Sequence, residues 1–194
     1  MGSKKITLVT GGIRSGKSRY ALSLARRAIG EKFFIATAQP FDAAMTAKIK
    51  RHREERAGEF ITIEEPLHLA QALKTVSEKN AVVLIDCLTL WVNNLLYHFK
   101  GDAHKLRREM DAFLEILASP PAPLIMVTNE IGLGVAPDNE LAMAFVDELG
   151  FINQRAARLS DDVVMLISGI PQSVKGGQVY EFMGDPCPKD PAAR

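Results

Sequence analysis

Six short runs of apolar and β-branched residues punctuate this chain: KITLVT (5 to 10), KFFIATA (32 to 38), EFITIE (59 to 64), AVVLID (81 to 86), PLIMVTN (123 to 129) and DVVMLIS (162 to 168). Most are apolar almost throughout rather than at every second position, so strands built from them need cover on both faces. The stretches between supply that cover, with helices predicted over 18 to 29, 42 to 56, 67 to 78, 89 to 98, 103 to 118 and 138 to 160. Such alternation predicts a doubly wound α/β fold, a mostly parallel sheet with helices on both faces. Ligands of such sheets bind at the carboxyl ends of the strands. The loops expected to carry function are therefore 11 to 17, 37 to 42, 87 to 88, 129 to 138 and 169 to 177.

A length of 194 residues with 47% hydrophobic content suits one core, so residues 1 to 185 read as a single domain and PCPKDPAAR (186 to 194) as a flexible tail. The formal net charge of +1 supplies no global field to recruit nucleic acid or an anionic membrane. Cys87 and Cys187 are too few and too far apart for a disulfide scaffold, and no zinc-ligand set accompanies them. Neither a cleavable leader nor a run of membrane-spanning length is evident, so the expectation is a soluble cytoplasmic protein without membrane insertion.

Between the first strand and the first helix lies Gly11-Gly12-Ile13-Arg14-Ser15-Gly16-Lys17-Ser18, which fits G-x-x-x-x-G-K-[ST] in the required context. Glycines let backbone N–H groups converge on phosphate oxygens at the positive end of the following helix. Lys17 reaches the outer phosphates, and the Ser18 hydroxyl can hold Mg2+. Together with the alternation, this motif predicts a P-loop NTPase fold, expected to be of RecA-like form. Asp86, at the end of the most apolar strand, is the second candidate metal ligand; the alternative is an acid capping the next helix. A GTPase switch protein would need Asn-Lys-x-Asp to read guanine, and the corresponding strand end reads VTNEIG.

The segment AKIKRHREER (47 to 56) crowds Lys48, Lys50, Arg51, Arg53 and Arg56 around His52. Met45, Ile49 and His52 fall on one helical stripe, so the histidine faces the body of the protein. Spacing leaves two readings open. One is a solvated helix with Lys50/Glu54 and Arg51/Glu55 pairs. The other is an imidazole that attacks a phosphate while guanidinium groups absorb the developing charge.

VTGGIRSGKSRYA, FIATAQ, KIKRHREER, TIEEPLHL, LIDCLTLWVNNLL, VTNEIGLGVAP and INQRAA, in this order, resemble the bifunctional adenosylcobinamide kinase / adenosylcobinamide-phosphate guanylyltransferase family over roughly residues 5 to 175. The resemblance implies phosphorylation of adenosylcobinamide by ATP or GTP. It further implies transfer of GMP from GTP to adenosylcobinamide phosphate through a guanylylated histidine, which falls on His52. Gly11 to Ser18 would hold nucleotide phosphates, with Lys17 catalytic. Ala36, Thr37 and Ala38, Arg53, Glu54, Glu55 and Arg56, and the acids Glu64 and Asp86 match nucleotide-contact positions. A homotrimer is implied as well. A single-activity P-loop kinase, which would not need His52, and a RecA-like ATPase or nucleotide-sensing module, which would need a partner surface, are the alternatives.

Three departures from the family pattern stand out. Val146 and Phe151 occupy positions where relatives often carry arginine, and Arg51 precedes His52 where a relative can have a second histidine. His68, Tyr97, His98 and His104 read as structural or exposed.

Overall fold

The computed structural model describes residues 4–39, 58–76 and 81–177. The six predicted strands form as β1 (Ile6–Gly11), β2 (Glu31–Ala36), β3 (Ile61–Glu64), β4 (Ala81–Asp86), β5 (Leu124–Val127) and β6 (Asp162–Ile167). Five helices are described: α1 (Lys17–Arg27), α2 (Leu69–Lys74), α3 (Leu88–His98), α4 (Ala103–Ala118) and α5 (Glu140–Leu159). The predicted helix over 42 to 56 lies outside the described residues.

A seventh strand, β7 (Ile170–Lys175), extends the sheet, whose order is β3-β2-β4-β5-β1-β6-β7. All pairings are parallel except β6 with β7. This corrects the expectation that 169 to 177 is a loop. Residue Ile167 pairs with Ile170, so Ser168 and Gly169 form a two-residue turn, both with positive φ (51° and 85°). That is the primed turn suited to a tight hairpin. The strand is polar, exposed and carries Pro171, features of a sheet edge that escape a search for apolar runs.

Alternation along each strand divides the core. Val82 and Leu84 of β4, with Val9, Phe34, Val127 and Leu166, pack against Tyr20, Ala21 and Ala25 of α1. Val83 and Ile85, with Leu8 and Ile35, meet Leu69 and Leu73 of α2, Trp91 and Leu95 of α3, Phe113 of α4 and Ile152 of α5. Trp91 and Phe113 are fully buried in edge-to-face contact at 5.0 Å, an arrangement that adds about 0.5–1.5 kcal/mol to area burial. The helices thus cover both faces and leave the carboxyl ends of β1, β4 and β5 side by side.

Candidate active site

The β1–α1 connection is shaped by its glycines. Gly11 has φ +142°, and a Cβ there would lie 2.5 Å from the Leu166 carbonyl oxygen of β6. Gly16 caps α1 in the left-handed conformation, with no side chain bonding the helix end and no acid in the first turn. The α1 N-terminus therefore keeps its donors and its positive potential for an anion. Lys17 is 8% exposed and donates from Nζ to the Gly12 carbonyl at 2.6 Å, so its charge is held inside the loop. The Gly169 N–H, from the β6–β7 turn, donates to the Ser15 carbonyl at 3.0 Å and braces the loop from the sheet edge. Ile13 and Arg14 are exposed at its tip.

Register aligns the remaining site candidates. Ala36 of β2 pairs with Asp86 of β4 on one side and Glu64 of β3 on the other, so the three residues form a row on one face of the sheet. Asp86 continues the Val82 and Leu84 series, which puts it on the α1 face. It does not cap α3. That role falls to Cys87, whose Sγ accepts from the Leu90 N–H at 3.5 Å. Burial, reinforced by the charge of Asp86, pushes the Cys87 thiol up to about 12, so it stays protonated and unreactive at neutral pH.

Thr37 is fully buried. Its hydroxyl donates to the Cys87 carbonyl and accepts from the Cys87 N–H, both at 2.8 Å, fastening the end of β2 to the end of β4. Any ligand contact from 36 to 38 must then come from Ala36, Ala38 or the backbone.

Beneath the rim lies a polar brace that the sequence reading did not single out. Asn94 of α3 donates to the Thr37 and Pro66 carbonyls at 2.7 and 3.2 Å, joining the loops after β2 and β3. Thr128 donates to Asn153 Oδ1 at 2.7 Å, Asn153 donates to the Asn129 carbonyl at 3.0 Å, and the Asn129 N–H reaches Thr89 Oγ1 at 2.9 Å. The available signal was polar residues embedded in apolar elements, as in MVTN and WVNNLL. Glu130 was also missed: its Oε1 accepts from Thr10 Oγ1 at 2.6 Å, and its N–H donates to the Gly11 carbonyl at 3.3 Å.

His52, Arg53, Glu54, Glu55 and Arg56 lie outside the described residues, as does Arg51. The Phe151 ring contacts two guanidinium groups, with Arg107 Cζ 3.7 Å and Arg155 Cζ 5.0 Å from its centroid. Arg107 also pairs with Glu148 at 2.9 Å, so this departure is absorbed by contacts between α4 and α5. Val146 packs beside Gly132, where an added Cβ would lie 3.9 Å from Val146 Cγ1. His68 begins α2 with Nδ1 3.2 Å from Glu109 Oε2, and Tyr97, His98 and His104 are exposed.

Among the described residues no group of three or more His, Cys, Asp or Glu could hold a metal ion, and no helix is long and apolar enough to cross a membrane. Magnesium held largely by substrate phosphates needs only one or two protein oxygens. The Ser18 hydroxyl, in the first turn of α1, and the Asp86 carboxylate, at the end of β4, are donors of the right kind.

A glycine-shaped loop opening onto an uncapped helix, a buried lysine and an acid on the α1 face define a P-loop enzyme that uses a nucleoside triphosphate. A solved protein from Pyrococcus horikoshii OT3 shares this fold, with a TM-score of 0.52 at 8% identity, covering 91% of this chain and 89% of that one. Residues 7–174 match the family described as cobinamide kinase / cobinamide phosphate guanyltransferase, and the chain belongs to that family. It is similar to the bifunctional adenosylcobalamin biosynthesis protein CobP of Pseudomonas aeruginosa PAO1, 43% identical over 169 residues that cover 87% of this chain and 96% of the relative. The corresponding CobU protein of Escherichia coli K12 is 36% identical over 182 residues, covering 87% and 98%. The chain is accordingly a kinase and guanylyltransferase of cobalamin biosynthesis.

Proposed function

We propose that this chain phosphorylates adenosylcobinamide with ATP or GTP and then transfers GMP from GTP to adenosylcobinamide phosphate, through His52. The observation that carries the reading is the loop from Gly11 to Ser18: its helix end has no side-chain cap and its buried lysine donates to the Gly12 carbonyl. In this reading the loop is a phosphate cradle, with the Lys17 charge held beside the helix end. In the kinase half, Lys17 and the loop N–H groups hold the phosphates and neutralise charge on the leaving oxygen. Mg2+ at Ser18 and Asp86, when bound, supplies further charge neutralisation on the phosphate chain.

In the second half, an imidazole nitrogen of His52 bonds to the α-phosphorus of GTP as the α–β anhydride breaks and pyrophosphate leaves. A phosphate oxygen of adenosylcobinamide phosphate then displaces the histidine, forming the new anhydride of adenosylcobinamide-GDP. A phosphoramidate suits this role because its nitrogen leaves readily once protonated. Ala36, Ala38, Glu64 and Arg53 to Arg56 are proposed nucleotide contacts. The reading includes a single catalytic domain over 1 to 185, a homotrimer, and a cytoplasmic location.

The test is incubation of wild type and His52→Ala with Mg2+ and GTP labelled at the α-phosphate, followed by denaturation. Label that survives base, is lost in acid and is absent from the variant supports the guanylyl-histidine. Nucleotide binding without labelling sinks the transferase mechanism and leaves a kinase.

A further inference from the structure

The groups discussed so far account for the nucleotide, but none accounts for the proton of the attacking alcohol in the kinase half. In the proposed scheme Lys17 and Ser18 serve the phosphates and His52 the other half-reaction, while Asp86 lies on the α1 face. Glu130 stands elsewhere. Since β5 separates β1 from β4, the residue three past Val127 emerges between the phosphate loop and Asp86. Its N–H is tied to the first loop glycine, and its Oε1 is fixed by Thr10. Thr10 belongs to the Ile6 and Leu8 series, which faces α2 to α5. The two carboxylates are therefore associated with opposite faces of the sheet, at the carboxyl ends of its central strands.

We propose that Glu130 is a catalytic residue of the kinase half, the general base for the acceptor hydroxyl, and that Thr10 is its positioning residue. The inference rests on the kinase reading above. Glu130 is half-buried and tied to Thr10, which belongs to the sheet face opposite that of Asp86. Among the described residues its second oxygen, Oε2, has no hydrogen bond, while Oε1 is held in place. The acceptor oxygen bonds to the γ-phosphorus as the bond to the β-bridging oxygen breaks. The hydroxyl proton passes to Glu130, and the nucleoside diphosphate leaves with the electron pair.

The test compares Glu130→Gln and Glu130→Asp with wild type in the two half-reactions separately. The amide oxygen of glutamine still accepts from Thr10, so the loop keeps its bond and loses only the basic oxygen. For Glu130→Gln, kinase kcat should fall about 10²–10⁴-fold, with the KM for nucleotide little changed. Labelling of the enzyme by GTP should fall far less, and Glu130→Asp should recover part of the kinase rate. Thr10→Val should lower kinase kcat about tenfold, and Thr10→Ser should restore it. A Glu130→Gln enzyme within threefold of the wild-type kinase rate overturns the proposal. So does an equal fall in both halves or in nucleotide binding, which would make Glu130 a structural support of the loop. If wild type itself has no kinase activity, the kinase reading fails and carries this proposal with it, an outcome plainly different from an active wild type with an active variant.

Discussion

The start of α1 and the starts of α4 and α5 solve the same problem in opposite ways. Asp102 begins α4 and accepts from the His104 and Lys105 N–H groups at 3.1 and 3.2 Å. Asn139 begins α5 and accepts from the Ala142 N–H at 2.8 Å. Both ends are closed by the chain's own side chains. Helix α1 begins at a glycine with no such cap, and in the function proposed above its donors hold phosphate. A capped end serves stability, whereas an uncapped end beside a buried lysine serves binding, and substitutions at the two kinds of end should separate accordingly.

The largest effect should come from Gly11→Ala. The new methyl would meet the Leu166 carbonyl at 2.5 Å, in a backbone conformation that L residues rarely adopt. Loss of more than about 2 kcal/mol is expected, together with loss of nucleotide binding, measured by chemical denaturation and by titration with labelled nucleotide. Gly12→Ala is the control: nothing lies within 4 Å of the added Cβ, so its stability should match wild type. Equal effects at the two glycines would contradict the loop geometry.

Thr37→Val comes next. It removes the hydroxyl that both donates to and accepts from Cys87 in a fully buried position, leaving a carbonyl and an N–H without their partner. A loss of about 1–3 kcal/mol is expected. Thr37→Ser, which keeps both bonds, should recover most of it in the same denaturation experiment. A valine variant as stable as wild type would mean that the loop after β2 is not tied down through this hydroxyl.

These sites differ in how far the sequence reveals them. The phosphate loop is local: strand, glycines, Lys17 and helix are consecutive, and α1 begins one residue from its predicted start. The six apolar strands are legible because burial on both faces demands continuous apolar runs. The β7 edge strand faces no such demand, and its signal was the Ser168-Gly169 turn rather than its composition. Thr37 is local in sequence, but its function in the fold is not, since Cys87 is 50 positions away. Glu130 was hidden for the same reason: only the insertion of β5 between β1 and β4 brings it to Thr10, 120 positions distant. The row of Glu64, Ala36 and Asp86 likewise exists only once three strands are in register.

Asn139→Ala should have a smaller effect, confined to stability. It deletes one cap bond at an exposed helix end, for about 1 kcal/mol. Nucleotide affinity should be unchanged. A change in affinity would mean that the 129 to 138 segment transmits the state of α5 to the site, and the division between structural and binding helix ends would then be wrong.

The smallest effect is at Asp102, where pH rather than deletion is the probe. Hydrogen bonds from the Lys105 N–H, the Lys105 side chain and the His104 N–H hold its carboxyl below the usual carboxylate range. The folded value is depressed relative to the unfolded one. The stabilisation is therefore fully present above the unfolded pKa and is lost as pH falls through the lower, folded value. Asparagine also caps helices but does not titrate in this range. In thermal melts from pH 6 down to pH 2, wild type should lose more stability than Asp102→Asn, and the curves should converge at the acid end. Parallel curves would show that the α4 cap acts through hydrogen bonding alone, with no contribution from charge.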